Sequence, residues 1–448
     1  MTTTTTLTTT GTSSRRLTVV GLAVVGLVVA LAYGASLPQT LEDLDSVNFA
    51  LGVEAFDVSE HRPHPPGYPV YIAAGKVTTA AVTAVAPEWP RDRRAAVGLA
   101  LWSVIAATAG AWVLYAFWMA VGFPPAQAGL SAVLALVSPL FRLTASRPLT
   151  DVPGLVAALA VLAALLAGLR AFRAAPQDRP PPIWWWAAAG AGLIIGLRTQ
   201  TMWLTGPLLC WCAGELVAQG RWRESVRLVG CAAAGVLVWF LPLMATSGGW
   251  TAYLTVLGSQ GTNDFMGVEM LATQPSWPLM VEALRRTFVT PWLHDTLAWV
   301  VLGLAVAGAI RLLWLSRPVL ALVALAFWPY CVFHLTFQET ATIRYSLPLV
   351  VPIAGLAVVA LSALRRPVAF TAIAGLVLAS LWVVQPALAA YGRVGAPIFR
   401  AFEDFDAAVV GMHRRIASEA RQATVWVRET KPFTVLPTDR GAEVSAVV

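Results

Sequence analysis

Twelve apolar runs, most of them near the length that crosses a bilayer, restrict what this 448-residue chain can fold into. They fall at about 17–36, 67–87, 96–121, 125–142, 152–170, 183–197, 201–217, 227–247, 295–314, 318–336, 346–362 and 368–388. A helix needs about 20 apolar residues to cross a hydrocarbon core roughly 30 Å thick. Only helices and closed barrels satisfy their backbone there, and these Leu/Ala/Val runs lack the alternation of barrel strands. The expected fold class is therefore an all-α polytopic membrane protein. A content of 57% hydrophobic and 12% charged residues agrees, and 19 tryptophans, many at run ends, suit a membrane interface.

The net charge of +7 comes almost wholly from arginine, with Lys76 and Lys431 the two lysines. In such a chain the positive-inside rule accounts for that excess, and nucleic acid is not an expected partner. Cys210, Cys212, Cys231 and Cys331 lie inside apolar runs and are expected to be buried small hydrophobes. The Thr-rich stretch 1–14 is expected to be a disordered cytoplasmic N-terminus. Arg15-Arg16 and the run after them resemble a signal peptide, with Ala30-Leu31-Ala32 as a possible cleavage site. The run is long enough to span, so a retained anchor is expected.

Basic clusters test the topology. Arg170 to Arg179, Arg221 to Arg227, Arg311 to Arg317 and Arg365-Arg366 should face the cytoplasm. If every run crosses, all four land outside; if 67–87 does not fully cross, all four fall inside. The first extracytoplasmic region is then 37–95, and the other outer segments include a second large loop, 248–294, and a tail, 391–448. Arg91, Arg93 and Arg94 lie outside on this arrangement, against the rule. The alternative keeps 67–87 as a span and makes another run, such as 125–142, re-entrant.

Acids concentrate at one place. Glu42, Asp43, Asp45, Glu54, Asp57 and Glu60 fall within 41–71, together with His61, His64 and the turn Pro65-Pro66-Gly67-Tyr68-Pro69. Asp43 and Asp45, at i and i+2, let one carboxylate face a cavity while the other caps or orients a neighbour; capping alone is the competing reading. Near Asn48, Asp57 and His61 such a carboxylate could be a general base or a metal ligand. Asp151, before a helix with Pro153 in its first turn, reads first as an N-cap with Arg147 beside it. Arg198 either snorkels to headgroups or binds an anion. Arg344-Tyr345 is either an interfacial anchor or a phosphate grip, since arginine suits bidentate phosphate contact. There is no Gly-x-x-x-x-Gly-Lys-Ser/Thr, Gly-x-Ser-x-Gly or His-Glu-x-x-His pattern, which counts against nucleotide-driven transport and α/β-hydrolase chemistry.

In combination these features resemble the GT-C superfamily of polytopic glycosyltransferases that use polyprenyl-phosphate sugars, including protein O-mannosyltransferase-like and aminoarabinose-transferase-like members. Asp45-Ser46-Val47-Asn48-Phe49-Ala50-Leu51 and His64-Pro65-Pro66-Gly67-Tyr68-Pro69 carry the resemblance most closely. It implies a catalytic bundle over about 15–390, with about 11 transmembrane helices and membrane-parallel helices in the first outer loop. It implies transfer to an extracytoplasmic glycan, lipid or protein acceptor at a plasma membrane, with membrane lipids as surroundings; attack opposite a departing phosphate would invert the anomeric carbon. Asp45 or Asp43 takes the family's base position, and Asp151 its second-loop acid, which orients the site or binds a metal. Arg344, with Tyr345 and Arg198, would hold the donor phosphate. Asn48, His61, His64 and Tyr68 would form a wall. A divalent metal on Asp45 and Asp151 is an open possibility. The chain departs from the family in its Glu-Asp-x-Asp motif, which leaves the base ambiguous, and in its short tail. There, only a helix-like part (about 403–421) and a strand-like Thr424-Val-Trp-Val stand where many relatives carry a larger domain.

Three other classes compete. A secondary transporter predicts inverted repeats and charges near mid-membrane, where Lys76 is the nearest candidate. The others are another lipid-linked polysaccharide polymerase or ligase, and a non-catalytic assembly subunit.

Overall fold

The structure, a computed structural model, describes residues 10–41, 43–175, 180–263 and 270–394. Residues 1–9 of the Thr-rich stretch, Glu42, Arg179, His413 and the tail from 395, with its helix-like and strand-like parts, lie outside the described residues. Among those described, every named element is helical: the chain is an all-α polytopic membrane protein.

In chain order the α-helices are α1 (Thr10–Gly34), α2 (Leu44–Glu54), α3 (Pro69–Val85), α4 (Arg91–Val121), α5 (Pro125–Leu136), α6 (Pro139–Thr144), α7 (Asp151–Ala174), α8 (Pro182–Ile195) and α9 (Met202–Ala218). They continue with α10 (Trp222–Thr246), α11 (Trp250–Asn263), α12 (Trp277–Leu284), α13 (Asp295–Leu315), α14 (Arg317–Phe337), α15 (Leu347–Leu361), α16 (Arg366–Val383) and α17 (Gln385–Val394). Among the described residues, seven helical segments are long and apolar enough to cross a membrane: α4, α7, α10, α13, α14, Ile343–Leu361 and Arg366–Ala389. The two runs on which the charge argument turned are both shorter. The first is the 17-residue α3. The second, 125–142, divides into α5 and α6 at Ser138, whose extended ψ of 143° is what the following Pro139 demands.

The helices are held as membrane helices usually are, by small residues that let backbones meet. A Cβ on Gly308 would come within 1.9 Å of the Leu356 carbonyl, so α13 lies directly on α15. Gly192 and Gly235 do the same for α8 and α10, against the carbonyls of Ala232 and Ala189. Between these close pairs Trp118, Phe117, Phe141, Phe172 and Trp184 fill the core, each under 2% exposed. Burial of such rings contributes about 2–3 kcal/mol apiece in water, and close packing supplies the equivalent in lipid. Cys212 and Cys331 are buried as expected; Cys210 is exposed on α9, a correction to that expectation.

The first loop folds over one end of this bundle. Phe49 and Ala50 on α2 pack with Tyr71 and Ile72 on α3 and with Leu99 on α4. The turn between α2 and α3 is unusual: His61 (φ 56°) and Tyr68 (φ 44°) are both left-handed without being glycine. Such conformations cost roughly 1–3 kcal/mol and persist only where surroundings hold them. Here the support is α11, whose Tyr253 hydroxyl donates to the Pro66 carbonyl at 3.3 Å, over an apolar cluster of Val58, Leu243 and Tyr253.

Candidate active site

Four segments far apart in sequence bring charge to one point, one of them the turn after α8 that carries Arg198. The first is α2. Asp43 is its N-cap, accepting from the Ser46 amide at 2.9 Å while Ser46 Oγ accepts from the Asp43 amide. That capping box fixes Asp43 and places Asp45 in the helix's first turn. The second is the start of α7, where Asp151 is the first helical residue and Thr150 precedes it as N-cap. The third is the short helix Ile343–Ser346, which feeds into Leu347-Pro348 at the head of α15 and presents Arg344 and Tyr345.

Arg344 lies at the centre. Its Nη2 donates to Asp45 Oδ2 and stands 3.7 Å from Asp43 Oδ2, while Nη1 donates to Asp151 Oδ2 at 3.2 Å. Arg198 closes the far side: Nη2 is 3.0 Å from Asp151 Oδ1, and Nη1 donates to Thr150 Oγ1 at 2.9 Å. The Tyr345 ring lies under both guanidiniums, with its centroid 4.9 Å from the Arg344 Cζ and 5.5 Å from that of Arg198. Gly154 makes this possible, because a Cβ there would meet the Arg198 side chain at 2.9 Å. Asp151 is thus not the capping residue, a place that Thr150 takes. It is a buried counter-ion held by two arginines.

Exposure is graded across the cluster. The Asp151 and Arg198 side chains are 2% and 8% exposed, Arg344 15%, Asp45 26% and Asp43 31%. Only Asp45 and Asp43 can therefore meet a partner from solution. Their chemistry also differs. Burial pushes the Asp45 carboxyl up, but the Arg344 guanidinium, His64 and Arg198 outweigh it and hold it below the usual carboxylate range. For Asp43, burial wins over Arg344, and the neighbouring Asp45 charge adds to it, so its carboxyl is raised. Of the two first-loop acids, Asp43 takes up a proton more readily than Asp45.

His64 stands beside Asp45, Nε2 to Oδ1 3.7 Å, and its Nδ1 is 3.3 Å from Asn48 Nδ2. Phe49 and Tyr68 flank the His64 ring edge-on or tilted, with centroids 5.9 and 5.2 Å away. Asn48, His64 and Tyr68 are thus gathered at the cluster's open side. His61 is not: it is exposed on the preceding turn. Asp57 caps the short helix Val58–Glu60 by accepting from the Ser59 amide at 3.0 Å. Beside Asp151 and Arg198 a small cavity opens, polar at Gln200, Thr201 and Tyr330 and apolar at Leu155, Leu204, Leu347 and Pro348.

Asp45 and Asp151, the candidate metal ligands, both bond Arg344 as the cluster is arranged. No group of three His, Cys, Asp or Glu side chains among the described residues could hold an ion, and the point where the acids converge is filled by Arg344. Sequence reasoning also passed over Thr150, Gly154 and Tyr330. Tyr330 had a signal: with His334 and Gln338 it repeats every four residues on one face of an otherwise apolar helix.

No family model and no curated protein matches the sequence. Solved structures do match. The Archaeoglobus fulgidus oligosaccharyltransferase in its apo form superposes with a TM-score of 0.54 at 13% identity, over 82% of this chain and 56% of that one. The chain has the GT-C fold. ArnT from Cupriavidus metallidurans, in the apo state, aligns at 18% identity over 78% of this chain and 61% of its own, with a TM-score of 0.48. This GT-C bundle thus spans little more than half the length of the oligosaccharyltransferase it matches.

Proposed function

We propose that this protein is an integral-membrane glycosyltransferase that moves a sugar from a polyprenyl-phosphate donor to an extracytoplasmic acceptor, with inversion. One observation carries the reading: Arg344, a cation suited to a phosphate, is bonded directly to Asp45, a carboxylate suited to act as base, at the open side of a buried charge cluster. The GT-C fold shared with an oligosaccharyltransferase supports it. The plasma membrane, with the N-terminus cytoplasmic and the site outside, is the location the charge pattern favours.

The donor's lipid chain runs down the apolar wall of Leu155, Leu204 and Leu347, and its phosphate meets Arg198 and Arg344. The acceptor enters from the side of Asp45, His64 and Tyr68. Its nucleophilic atom attacks the anomeric carbon as the bond from that carbon to the phosphate oxygen breaks. The acceptor's proton passes to Asp45, the bonding pair leaves with polyprenyl phosphate, and the two guanidiniums balance the charge that develops. Phosphate and Asp45 compete for the same guanidinium. Donor binding thus loosens the contact that holds the Asp45 carboxyl low and makes it a stronger base when the sugar is in place. His64 and Asn48 orient Asp45, and Asp43 fixes the start of α2.

The test uses the full chain in lipid nanodiscs with a labelled polyprenyl-phosphate sugar and envelope extract as acceptor. Transfer of label that is lost in Asp45→Asn supports the reading. Absence of transfer and hydrolysis by wild type, or equal transfer by Asp45→Asn, overturns it.

A further inference from the structure

A stripe of buried polar side chains on α14 and its C-cap reaches the cluster. Tyr330, His334 and Gln338 follow one another at four-residue spacing and are 1%, 1% and 6% exposed. Polar groups so placed in an apolar helix are costly unless each finds a partner. Each does. The Tyr330 hydroxyl donates to the Tyr345 carbonyl at 2.7 Å. His334 Nδ1 faces Gln338 Oε1 at 2.9 Å, and Nε2 faces Thr287 Oγ1 at 3.0 Å. This pairing suits a neutral ring that donates through Nδ1 and accepts through Nε2. The Tyr330 and His334 rings are near parallel, 8° apart with centroids at 6.2 Å.

The far end is equally specific. Thr287 sits in Arg285–Val289, a π-helical stretch between α12 and the turn Thr290–Trp292. Wider turns of this kind re-aim a side chain that an α-helix would point elsewhere. Two bonded pairs, Thr287 with His334 and Tyr330 with the Tyr345 backbone, thus meet at the parallel rings of His334 and Tyr330, and the Tyr345 ring supports both guanidiniums. Tyr330 also lines the cavity beside Asp151 and Arg198.

We propose that Tyr330 is a positioning residue: through its bond to the Tyr345 carbonyl it sets the short helix that aims Arg344 at Asp45 and Asp151. The His334–Thr287 contact holds the Tyr330 ring at the right height, so the second large loop helps to place Arg344. The proposal concerns the geometry of the cluster and uses the glycosyl-transfer reading only for one of its two assays.

Tyr330→Phe removes a single hydroxyl from a site whose ring packing it preserves. If Tyr330 aims Arg344, the guanidinium relaxes away from Asp45 and the Asp45 carboxyl rises. Infrared titration of the Asp45 band, identified by difference from Asp45→Asn, should then move to higher pH, whether or not the protein transfers sugar. In the transfer assay the acid limb of the pH–rate profile should move the same way, and kcat should fall roughly tenfold to a hundredfold. His334→Phe, which keeps a ring beside Tyr330 but loses Thr287, should move the titration less and in the same direction. It also serves as the test should Tyr330→Phe fail to fold. An unchanged Asp45 titration in a folded variant, with or without a lower melting temperature, overturns the proposal. If wild type shows no transfer while the titration still shifts, the glycosyl-transfer reading fails and the positioning role stands.

Discussion

Arg344 and Asp45 are 299 residues apart in sequence and hydrogen-bonded in the fold. The same guanidinium donates to Asp151 at 3.2 Å, so one side chain joins the first loop, the head of α7 and the head of α15. A cation shared in this way cannot take on a new anion without weakening its hold on an old one.

Asp45 and Asp43 should separate cleanly. Asp45→Asn removes the group placed to take the acceptor's proton and should lower kcat by about a hundredfold or more. Asp43→Asn keeps a capping side chain, so transfer should stay within about tenfold of wild type, with a stability loss of about 1 kcal/mol at most. Labelled-sugar transfer and thermal unfolding on the same preparations check both.

Acid should loosen the cluster through Asp45. Its carboxyl is lower in the folded protein than in the unfolded chain, so the stability it contributes is full above the unfolded value, about pH 4. That contribution is lost as pH falls through the folded value. Asp43 works the other way, because a raised carboxyl loses stability as pH rises through the window from the unfolded value to its own. Unfolding followed between pH 3 and pH 7 should show Asp45→Asn with a flatter acid limb than wild type, and Asp43→Asn with a steeper one.

Gly154→Leu should displace Arg198. A Cβ alone would meet that side chain at 2.9 Å, and further atoms leave it no path to Asp151. Separating a buried ion pair costs about 3–5 kcal/mol. The expected result is a protein that unfolds at lower temperature and binds polyprenyl phosphate at least tenfold more weakly, read by calorimetry and by titration.

Arg344→Lys keeps the charge but loses the fork that reaches Asp45 and Asp151 together. Donor KM should rise about tenfold or more, and the Asp45 titration should move toward the ordinary carboxylate range. Chelation by EDTA should leave wild-type transfer unchanged, since Arg344 occupies the place among the acids where an ion would need to sit.

Much of this was legible in the chain. Apolar runs of about 20 residues have one stable outcome in lipid, and the all-helical bundle follows. Asp43, Asp45, Asp151, Arg198 and Arg344 could be singled out because each is a charge at the edge of an apolar run. Their pairing could not be. Whether Asp151 caps a helix or neutralises two arginines depends on where α7 lies relative to α15, which no local pattern encodes. His61 shows the same limit, being three residues from His64 and yet exposed. Gly154 was invisible for another reason, since a glycine that clears room for a neighbour's side chain looks like any other.

Exposure rises from 2% at Asp151 to 31% at Asp43 along one short line of charges. A reactive centre built on such a line has a dry end and a wet end. On the proposed chemistry, donor arrives from the dry end and acceptor from the wet end, and water follows the acceptor's route. Fidelity then rests on how fully an acceptor fills the space beside Asp45, His64 and Tyr68. The ratio of transfer to hydrolysis becomes a direct measure of acceptor fit, even before the acceptor has been named.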